Sequence, residues 1–245
     1  MTGRRIALVT GGTRGIGAAI TERLVADGAH VIAVFARDGD TAAALQARIG
    51  REVTLQQADV ADPAACTALV ERTLSQHGRL DYLVNNAGAV TEERLDAITP
   101  ASWAAQLAVN LSGPFFLSQA AMPAMLERRF GRIVNIGSVS ASLGSPVQIA
   151  YASAKAGLLG LTRSLARVGA RKGVTVNCVI PGSFDTDLSG SLTLTNRDLV
   201  TPMIPMNRWG ANLELAQAVA FLVHDDAGYV TGQSFAVDGG MTMGH

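Results

Sequence analysis

The sequence predicts an α/β fold with a doubly wound parallel sheet of about seven strands, flanked by helices on both faces. Strand-like and helix-like patterns alternate along all 245 residues, as they do where right-handed crossovers join parallel strands. A glycine-rich turn directly follows the first strand-like run. No internal repeat or low-complexity linker divides the chain, so we expect a single domain spanning residues 1–245.

Each predicted element has its own signal. The strands are short runs rich in Val, Ile and Leu, and the segments between them have helical patterning. Asp62 before Pro63 gives one helix an N-cap and a first-turn proline. The predicted strands are residues 6–10, 31–35, 53–57, 82–85, 133–136, 174–179 and 234–237. The predicted helices lie near residues 18–25, 41–49, 63–77, 102–111, 114–128, 151–171 and 213–223.

The turn after the first strand has the pattern of a phosphate-binding loop. Gly11 permits a tight turn, Gly15 lets the backbone approach a pyrophosphate, and Gly17 lets the helix pack close to the strand. The N-terminus of the following helix offers free N–H groups to the phosphates. The context therefore predicts a Rossmann-like dinucleotide site, in contact with Gly11, Thr13, Arg14, Gly15, Ile16 and Gly17.

Tyr151 and Lys155 lie one turn apart on a predicted helix and so share a face, and Ser138 precedes the tyrosine by thirteen positions. A tyrosine has a free pKa of about 10, and a neighbouring positive charge is expected to lower it. Ser138 could then hold a substrate carbonyl oxygen while Tyr151 exchanges a proton with it. Alternatively, Tyr-x-x-x-Lys is a chance helical pattern, Lys155 is a solvated residue and Ser138 only ends a strand.

The end of the second predicted strand favours NADPH over NADH. NAD sites usually place an acidic residue there to bind the ribose 2′-OH, but this chain has Phe35 and Ala36. Arg37 and Arg14 could instead clamp a 2′-phosphate. Alternatively, Arg37 is an ordinary surface residue and Asp38 spoils the phosphate site.

Composition and cysteine spacing argue against several other classes of function. The formal net charge is zero, which gives no indication of a nucleic-acid partner. Cys66 and Cys178 fit no metal-ligand spacing and are expected to be reduced thiols, so no metal is predicted. The first strand begins at Ile6, which leaves no room for a signal peptide, and no apolar run has membrane-spanning length. We expect a cytoplasmic protein without a membrane partner.

Four motifs, in order along nearly the whole chain, resemble those of the short-chain dehydrogenase/reductase family. The glycine loop of residues 10–17 is the first, and Asn85-Asn86-Ala87-Gly88 is the second. The third is the family's catalytic tetrad, which falls on Asn110, Ser138, Tyr151 and Lys155. Pro181-Gly182 with Thr186 is the fourth. Within the family, residues 14–17, 131–138, 229–233 and 237–241 most resemble the 3-oxoacyl-(acyl-carrier-protein) reductases.

The resemblance assigns further roles. Asn110 would position a water that leads protons to Lys155; alternatively, it is a helix-capping or kink-filling amide. Lys155 itself would hold the nicotinamide ribose. Asp59 with Val60 would contact the adenine, unless Asp59 is a turn carboxylate. The resemblance also implies cofactor contacts by Asn86, Ala87, Gly88, Pro181, Gly182, Phe184 and Thr186. Of these residues, Pro181, Gly182 and Thr186 would meet the nicotinamide carboxamide. The family also implies a homotetramer.

For the substrate, the resemblance implies NADPH-dependent reduction of a 3-oxoacyl thioester on an acyl carrier protein, in fatty-acid or polyketide synthesis. A flap near residues 187–207 would cover the substrate, and its apolar side chains would line the site of the acyl chain. Alternatively, these side chains form core or subunit contacts. They are Leu188, Leu192, Leu194, Leu199, Met203, Ile204 and Met206. Carrier docking is expected at Arg128, Arg129, Arg171 and Lys172, although cations before a glycine also stabilise helix C-termini. The alternatives are a dehydrogenase of a free alcohol, such as a polyol, steroid or sugar derivative, and a nucleotide sensor without turnover. The resemblance does not specify the acyl length, the pathway, the reaction direction, or whether the thioester is carried by a carrier protein or by coenzyme A.

Overall fold

The computed structural model describes residues 4–185 and 197–244, and it confirms the predicted α/β architecture. Seven parallel strands form one sheet in the order β3-β2-β1-β4-β5-β6-β7. The strands are β1 Ile6–Thr10, β2 His30–Phe35, β3 Val53–Gln57, β4 Tyr82–Asn85, β5 Gly131–Ile136, β6 Val174–Pro181 and β7 Ser234–Val237.

Helices pack on both faces of this sheet. In the described residues they are α1 Gly15–Ala26, α2 Gly39–Ile49, α3 Pro63–His77, α4 Pro100–Leu107, α5 Gly113–Arg128, α6 Ser140–Leu143, α7 Ile149–Gly169, α8 Arg197–Val200 and α9 Asn212–Val223. No helix in this part of the chain combines the length and the apolar character needed to cross a bilayer.

Strands β1 and β2 are largely apolar because both faces of the sheet are covered there. In β1, Ala7 and Val9 point into the core beneath α1 and α9. Ile6 and Leu8 point into a second core, formed with side chains of α3, α5 and α7. The period of two along a strand thus distributes one short run between two hydrophobic cores.

Four segments differ from the sequence prediction. The helix predicted near residues 102–111 begins at Pro100, with Thr99 as its N-cap, and passes after Leu107 into a π-helical turn, Ala108–Ser112. The helix predicted near 151–171 spans Ile149–Gly169, and residues 170–172 form a separate tight turn. Helices α6 and α8 were not predicted, since the four residues of each are too few for a periodic pattern.

The sheet order places a binding crevice at one end of the molecule. β1 lies between β2 and β4, so the chain winds in opposite directions from this point. In such sheets ligands bind outside the carboxyl ends of the strands, where the winding reverses. The glycine loop follows β1, and Ser138 follows β5, at this same edge.

Candidate active site

The glycine loop has the geometry that its sequence predicts. Gly11 and Gly15 have positive φ angles of 60° and 51°, a conformation that side chains with a Cβ rarely adopt. A Cβ added to Gly17 would lie 1.9 Å from the Gly11 carbonyl oxygen. Only glycine at position 17 therefore allows α1 to begin this close to the loop.

Asn86 and Thr10 hold the loop against the end of β4. The Asn86 Nδ2 donates to the carbonyl oxygens of Thr10 at 2.9 Å and of Gly11 at 3.1 Å. The Thr10 hydroxyl oxygen accepts from the backbone N–H groups of Asn86 and Ala87, both at 3.0 Å. The second motif of the sequence thus supports the first one, and Gly88 follows it as an exposed residue.

The start of α1 suits a bound pyrophosphate. Arg14 occupies the N-cap position but makes no side-chain hydrogen bond to the first turn, and that turn contains no acidic residue. The backbone N–H groups of this first turn, and the positive end of the helix dipole, are therefore not compensated by a capping side chain or a carboxylate. Thr13 is buried beneath the loop and Ile16 is half-buried. These residues fit a dinucleotide.

Arg37 is exposed after β2, in the position predicted for a 2′-phosphate contact. The neighbouring Asp38 is the N-cap of α2: its two oxygens accept from the Thr41 backbone N–H at 3.0 Å and hydroxyl at 2.7 Å. These hydrogen bonds, with a smaller contribution from the Arg14 charge, lower the pKa of Asp38. The Asp38 carboxylate is therefore engaged in capping α2, and Arg14 is near enough for its positive charge to lower the pKa of this carboxylate.

The predicted proton-transfer residues come together beyond β5. The side chains of Tyr151 and Ser138 lie close enough for Ser138 to act on the pKa of Tyr151, and both residues are buried. The Lys155 Nζ lies 5.7 Å from the centroid of the Tyr151 ring and donates to the Ile136 carbonyl oxygen at 2.8 Å. The structure thus places a tyrosine, a serine and a lysine in one small region.

The expected direction of the tyrosine pKa was wrong for this arrangement. Burial raises the pKa of Tyr151, although the hydrogen bond to Ser138 partly opposes this effect. Burial also lowers the pKa of Lys155 to about 8, because desolvation disfavours its charged form. A tyrosine with a raised pKa carries its proton at neutral pH, which is the state that a proton donor needs.

Asn110 lies next to this group, in the π-helical turn, a kind of irregularity that is frequent at functional sites. Its Nδ2 donates to the Ala89 carbonyl oxygen at 2.8 Å and to that of Gln106 at 2.9 Å. A Cβ on Gly88 would lie 3.2 Å from Asn110 Oδ1 and 3.6 Å from Lys155 Nζ, so both atoms border the same small space. The amide thus bridges helix and loop, and its Oδ1 accepts from the Ala89 backbone N–H at 3.3 Å.

Sequence reasoning missed Gln106. This side chain is buried, accepts from Asn110 Nδ2 at 3.2 Å, and donates to the Thr91 hydroxyl at 3.0 Å. The signal that could have revealed it is its spacing, since it precedes Asn110 by one helical turn and shares its face. It connects the π-helical turn to the loop after β4.

The two predicted adenine contacts differ in their surroundings. Asp59 is exposed, and its Oδ1 accepts from the Ala61 backbone N–H at 2.9 Å, which is the turn role weighed as its alternative. The Val60 side chain packs in the core with α3 and α5. An adenine contact by Val60 would therefore use its backbone.

The segment after β6 approaches the C-terminal loop closely. A Cβ on Gly182 would lie 2.7 Å from the Asp238 Cα, and the Pro181 carbonyl oxygen accepts from the Val139 N–H at 3.1 Å. Phe184 is buried and packs against Gly210, so its ring belongs to the core. Thr186 lies outside the described residues.

The described part of the predicted flap, residues 197–207, has two kinds of apolar side chain. Ile204 is buried and packs on Gly239, so it contributes to the core. Leu199, Met203 and Met206 are exposed. A cavity of about 340 Å³ beside Met206 is also lined by Phe184, Arg208 and Glu214, but not by the tyrosine group. Leu188, Leu192 and Leu194 lie outside the described residues.

Within one chain, the four predicted docking cations lie at the end of the sheet opposite to Ser138. Arg128 and Arg129 precede β5, and Arg171 and Lys172 precede β6, whereas Ser138 follows β5. The six residues of β5 separate the two ends by about 20 Å at ~3.3 Å per residue. Arg129 is the left-handed C-cap of α5, and its Nη2 donates to the Arg171 carbonyl oxygen at 3.3 Å. The docking role stays a prediction, and this pair has a structural role as well.

Comparisons with known proteins agree with this geometry. A family model described as enoyl-(acyl carrier protein) reductase matches residues 11–242. The 3-oxoacyl-[acyl-carrier-protein] reductase FabG of Escherichia coli (strain K12) is 43% identical over 239 residues, which cover 98% of each chain. The FabG reductase of Haemophilus influenzae is 41% identical over 98% of each chain. The acetoacetyl-CoA reductase of Rhizobium meliloti is 40% identical, covering 96% of this chain and 98% of that protein.

Proposed function

The chain belongs to the short-chain dehydrogenase/reductase family and is an oxidoreductase, and we propose that it reduces a 3-oxoacyl thioester to the 3-hydroxyacyl thioester with NADPH. The observation that carries this proposal is the proximity of Ser138, Tyr151 and Lys155, which are buried together at the crevice where a nicotinamide ring would be held. We include residues 1–245 in one catalytic domain.

The proposed chemistry is a proton transfer that accompanies reduction. Bound NADPH would supply the hydride. Negative charge then grows on the substrate oxygen, and the hydroxyls of Ser138 and Tyr151 stabilise it by hydrogen bonds that strengthen in the transition state. The Tyr151 hydroxyl gives its proton to this oxygen. The Lys155 ammonium holds the cofactor ribose and stabilises the tyrosinate that forms, and Asn110 Oδ1 helps to bring the next proton to Lys155.

NADPH rather than NADH is proposed because of the charges beyond β2. Arg37 is exposed and Asp38 is engaged as the N-cap of α2, which leaves a guanidinium rather than a carboxylate to meet the ribose. Arg14 lies close enough to act on Asp38 and would add a second charge. Charge-assisted bonds from arginine to phosphate are strong and geometrically specific.

We predict that Arg37→Ala raises the Kd of NADPH roughly 10- to 100-fold, the effect of losing one or two charged hydrogen bonds. The Kd of NADH should change less than about twofold, because NADH has no 2′-phosphate. Fluorescence titration of both cofactors measures this difference. Arg51→Ala is the matched control, since Arg51 is almost fully exposed before β3, at the opposite end of the sheet. Equal effects of Arg37→Ala on both cofactors would refute the clamp.

A 3-oxoacyl thioester is proposed because full-length relatives named for carrier-protein and for coenzyme A substrates both act on this group. The test is NADPH oxidation with an acetoacetyl thioester, against a panel of free polyol-, steroid- and sugar-derived ketones. Thioester reduction with little activity on the panel supports the proposal. Activity on a free ketone alone would favour the second function, a dehydrogenase of free alcohols, and no turnover would favour a sensor.

The proposed partners are an acyl carrier protein and three further copies of the chain, in the cytoplasm, with fatty-acid or polyketide synthesis as the setting. Exposed apolar residues on the two long helices, Phe115 on α5 and Val168 on α7, support an interface there. Light scattering measures the number of copies.

A further inference from the structure

A chain of buried hydrogen bonds runs from β4 through β5 to α7. Asn85 Nδ2 donates to Asn135 Oδ1 at 2.8 Å, and Asn135 Nδ2 donates to the Thr162 hydroxyl oxygen at 2.9 Å. Asn85 and Asn135 are paired neighbours in the sheet register. Asn85 is 2% exposed, and Asn135 and Thr162 are completely buried. Two amides and a hydroxyl thus replace apolar side chains between the sheet and α7.

Stability alone does not explain these polar residues. The Asn85 Oδ1 is buried and has no hydrogen-bond partner in the described residues. An unsatisfied buried oxygen destabilises a fold, and well-packed apolar residues of similar volume are often at least as stable in such places. What a hydrogen bond adds is direction, because it fixes the relative position of two elements more narrowly than apolar contact does.

On the helix, Thr162 shares a face with the predicted reacting groups. It follows Tyr151 by eleven residues and Lys155 by seven, which correspond to about three and two turns of 3.6 residues. All three side chains are buried. The Asn135–Thr162 hydrogen bond therefore holds the same stripe of α7 that presents Tyr151 and Lys155.

On the strand, Asn135 lies beside the other half of the site. The next residue, Ile136, accepts from Lys155 Nζ through its carbonyl oxygen, and Ser138 follows two residues later. The bond from Lys155 uses a group that takes part in the proposed proton transfer. The Asn135–Thr162 bond joins the same strand and helix through two groups that this chemistry leaves unchanged.

We propose that Thr162 is a positioning residue of the reductase: its hydrogen bond with Asn135 fixes α7 against the end of β5, and so sets Tyr151 relative to Ser138. This inference rests on the proposed function. Small displacements matter at such a site, because a shift of about 1 Å in a reacting group can lower a rate by about 10²-fold.

The test compares Thr162→Val, which keeps the shape but removes the hydroxyl, with Thr162→Ser, which keeps the hydroxyl. Thr162→Val should lower kcat about tenfold, the loss expected from one ordinary hydrogen bond, with the KM of the thioester and the Kd of NADPH changed less than about twofold. Thr162→Ser should retain kcat within about twofold. If Thr162→Val does not fold, Asn135→Ala removes the same bond from the strand.

Thr73→Val is the matched control. Thr73 is also fully buried in a helix, and its hydroxyl donates only to the Leu69 carbonyl oxygen at 2.9 Å, away from the site. It should lower the unfolding midpoint as Thr162→Val does but leave kcat unchanged. A wild-type kcat in folded Thr162→Val, or an equal loss in Thr162→Ser, would overturn the proposal.

A failure of the proposed function gives a different result. If the wild type reduces a free ketone instead, the same series with that ketone tests the positioning role. If the wild type turns over no carbonyl, crystal structures of the wild type and Thr162→Val decide it. A longer distance between Ser138 Oγ and Tyr151 Oη in the variant supports the role, and an unchanged distance refutes it.

Discussion

Tyr151→Phe is expected to abolish turnover while the Kd of NADPH changes only a few fold. Tyr151 is 9% exposed, and phenylalanine keeps its ring and removes only the hydroxyl, which lies close to Ser138. Without it, no side chain at this place gives a proton to the reduced oxygen. General acid catalysis contributes about 10²- to 10⁴-fold, and the transition state also loses one of its two hydrogen bonds, so a fall in kcat of at least about 10³-fold follows.

Steady-state kinetics with an acetoacetyl thioester and fluorescence titration of NADPH measure these two effects separately. Tyr229→Phe is the matched control, because this tyrosine is completely exposed, and it should leave both quantities unchanged. A Tyr151→Phe variant that loses NADPH binding would show that the tyrosine is structural. One that retains turnover would show that the proton comes from another group.

Gly17→Ala is expected to have the largest effect on cofactor binding. The added Cβ would lie 1.9 Å from the Gly11 carbonyl oxygen and 2.6 Å from Asn86 Nδ2, far inside van der Waals contact. Neither neighbour is the end of a flexible side chain in open space, since Asn86 itself holds the loop by hydrogen bonds. The loop or the start of α1 must therefore move. We expect about 1–3 kcal/mol of lost stability, typical of overpacking, and a Kd for NADPH at least about 100-fold higher.

Isothermal titration with NADPH and denaturant unfolding test this expectation. Gly160→Ala is the control: it lies in α7, and its added Cβ would meet no atom within 4 Å. That substitution should leave the Kd unchanged and raise stability by about 0.5–1 kcal/mol, the helical preference of alanine over glycine. NADPH binding of wild-type strength in Gly17→Ala would contradict a loop that needs this close approach.

The sequence predicted the seven strands and the glycine loop because both depend on local signals. Strand runs such as residues 6–10 combine high apolar content with flanking turns, and Gly11 and Gly15 have the positive φ angles that a tight turn requires. The resemblance to one family then predicted which polar residues would meet, and Ser138, Tyr151 and Lys155 do lie together.

Properties that depend on burial and on distant contacts could not be predicted from the sequence. The raised pKa of Tyr151 arises because desolvation outweighs the opposing effect of Ser138, and the sequence does not show how deep a side chain lies. Asn135 looks like an accidental polar residue within β5 until Thr162 and Asn85 are seen beside it. The end of α4 at Leu107 depends on the side-chain hydrogen bonds of Asn110, which periodicity does not reveal.

The central claim is that hydride goes from NADPH to the carbonyl carbon of a 3-oxoacyl thioester while Tyr151 protonates the oxygen. The most direct test is incubation of the protein with acetoacetyl thioester and NADPH that carries deuterium at both hydrogens of the nicotinamide C4, followed by mass spectrometry of the product. We predict a 3-hydroxybutyryl thioester that carries one deuterium on C3 with the wild type, and no product above background with Tyr151→Phe. A wild-type product without deuterium on C3, or no thioester product at all, would contradict the claim.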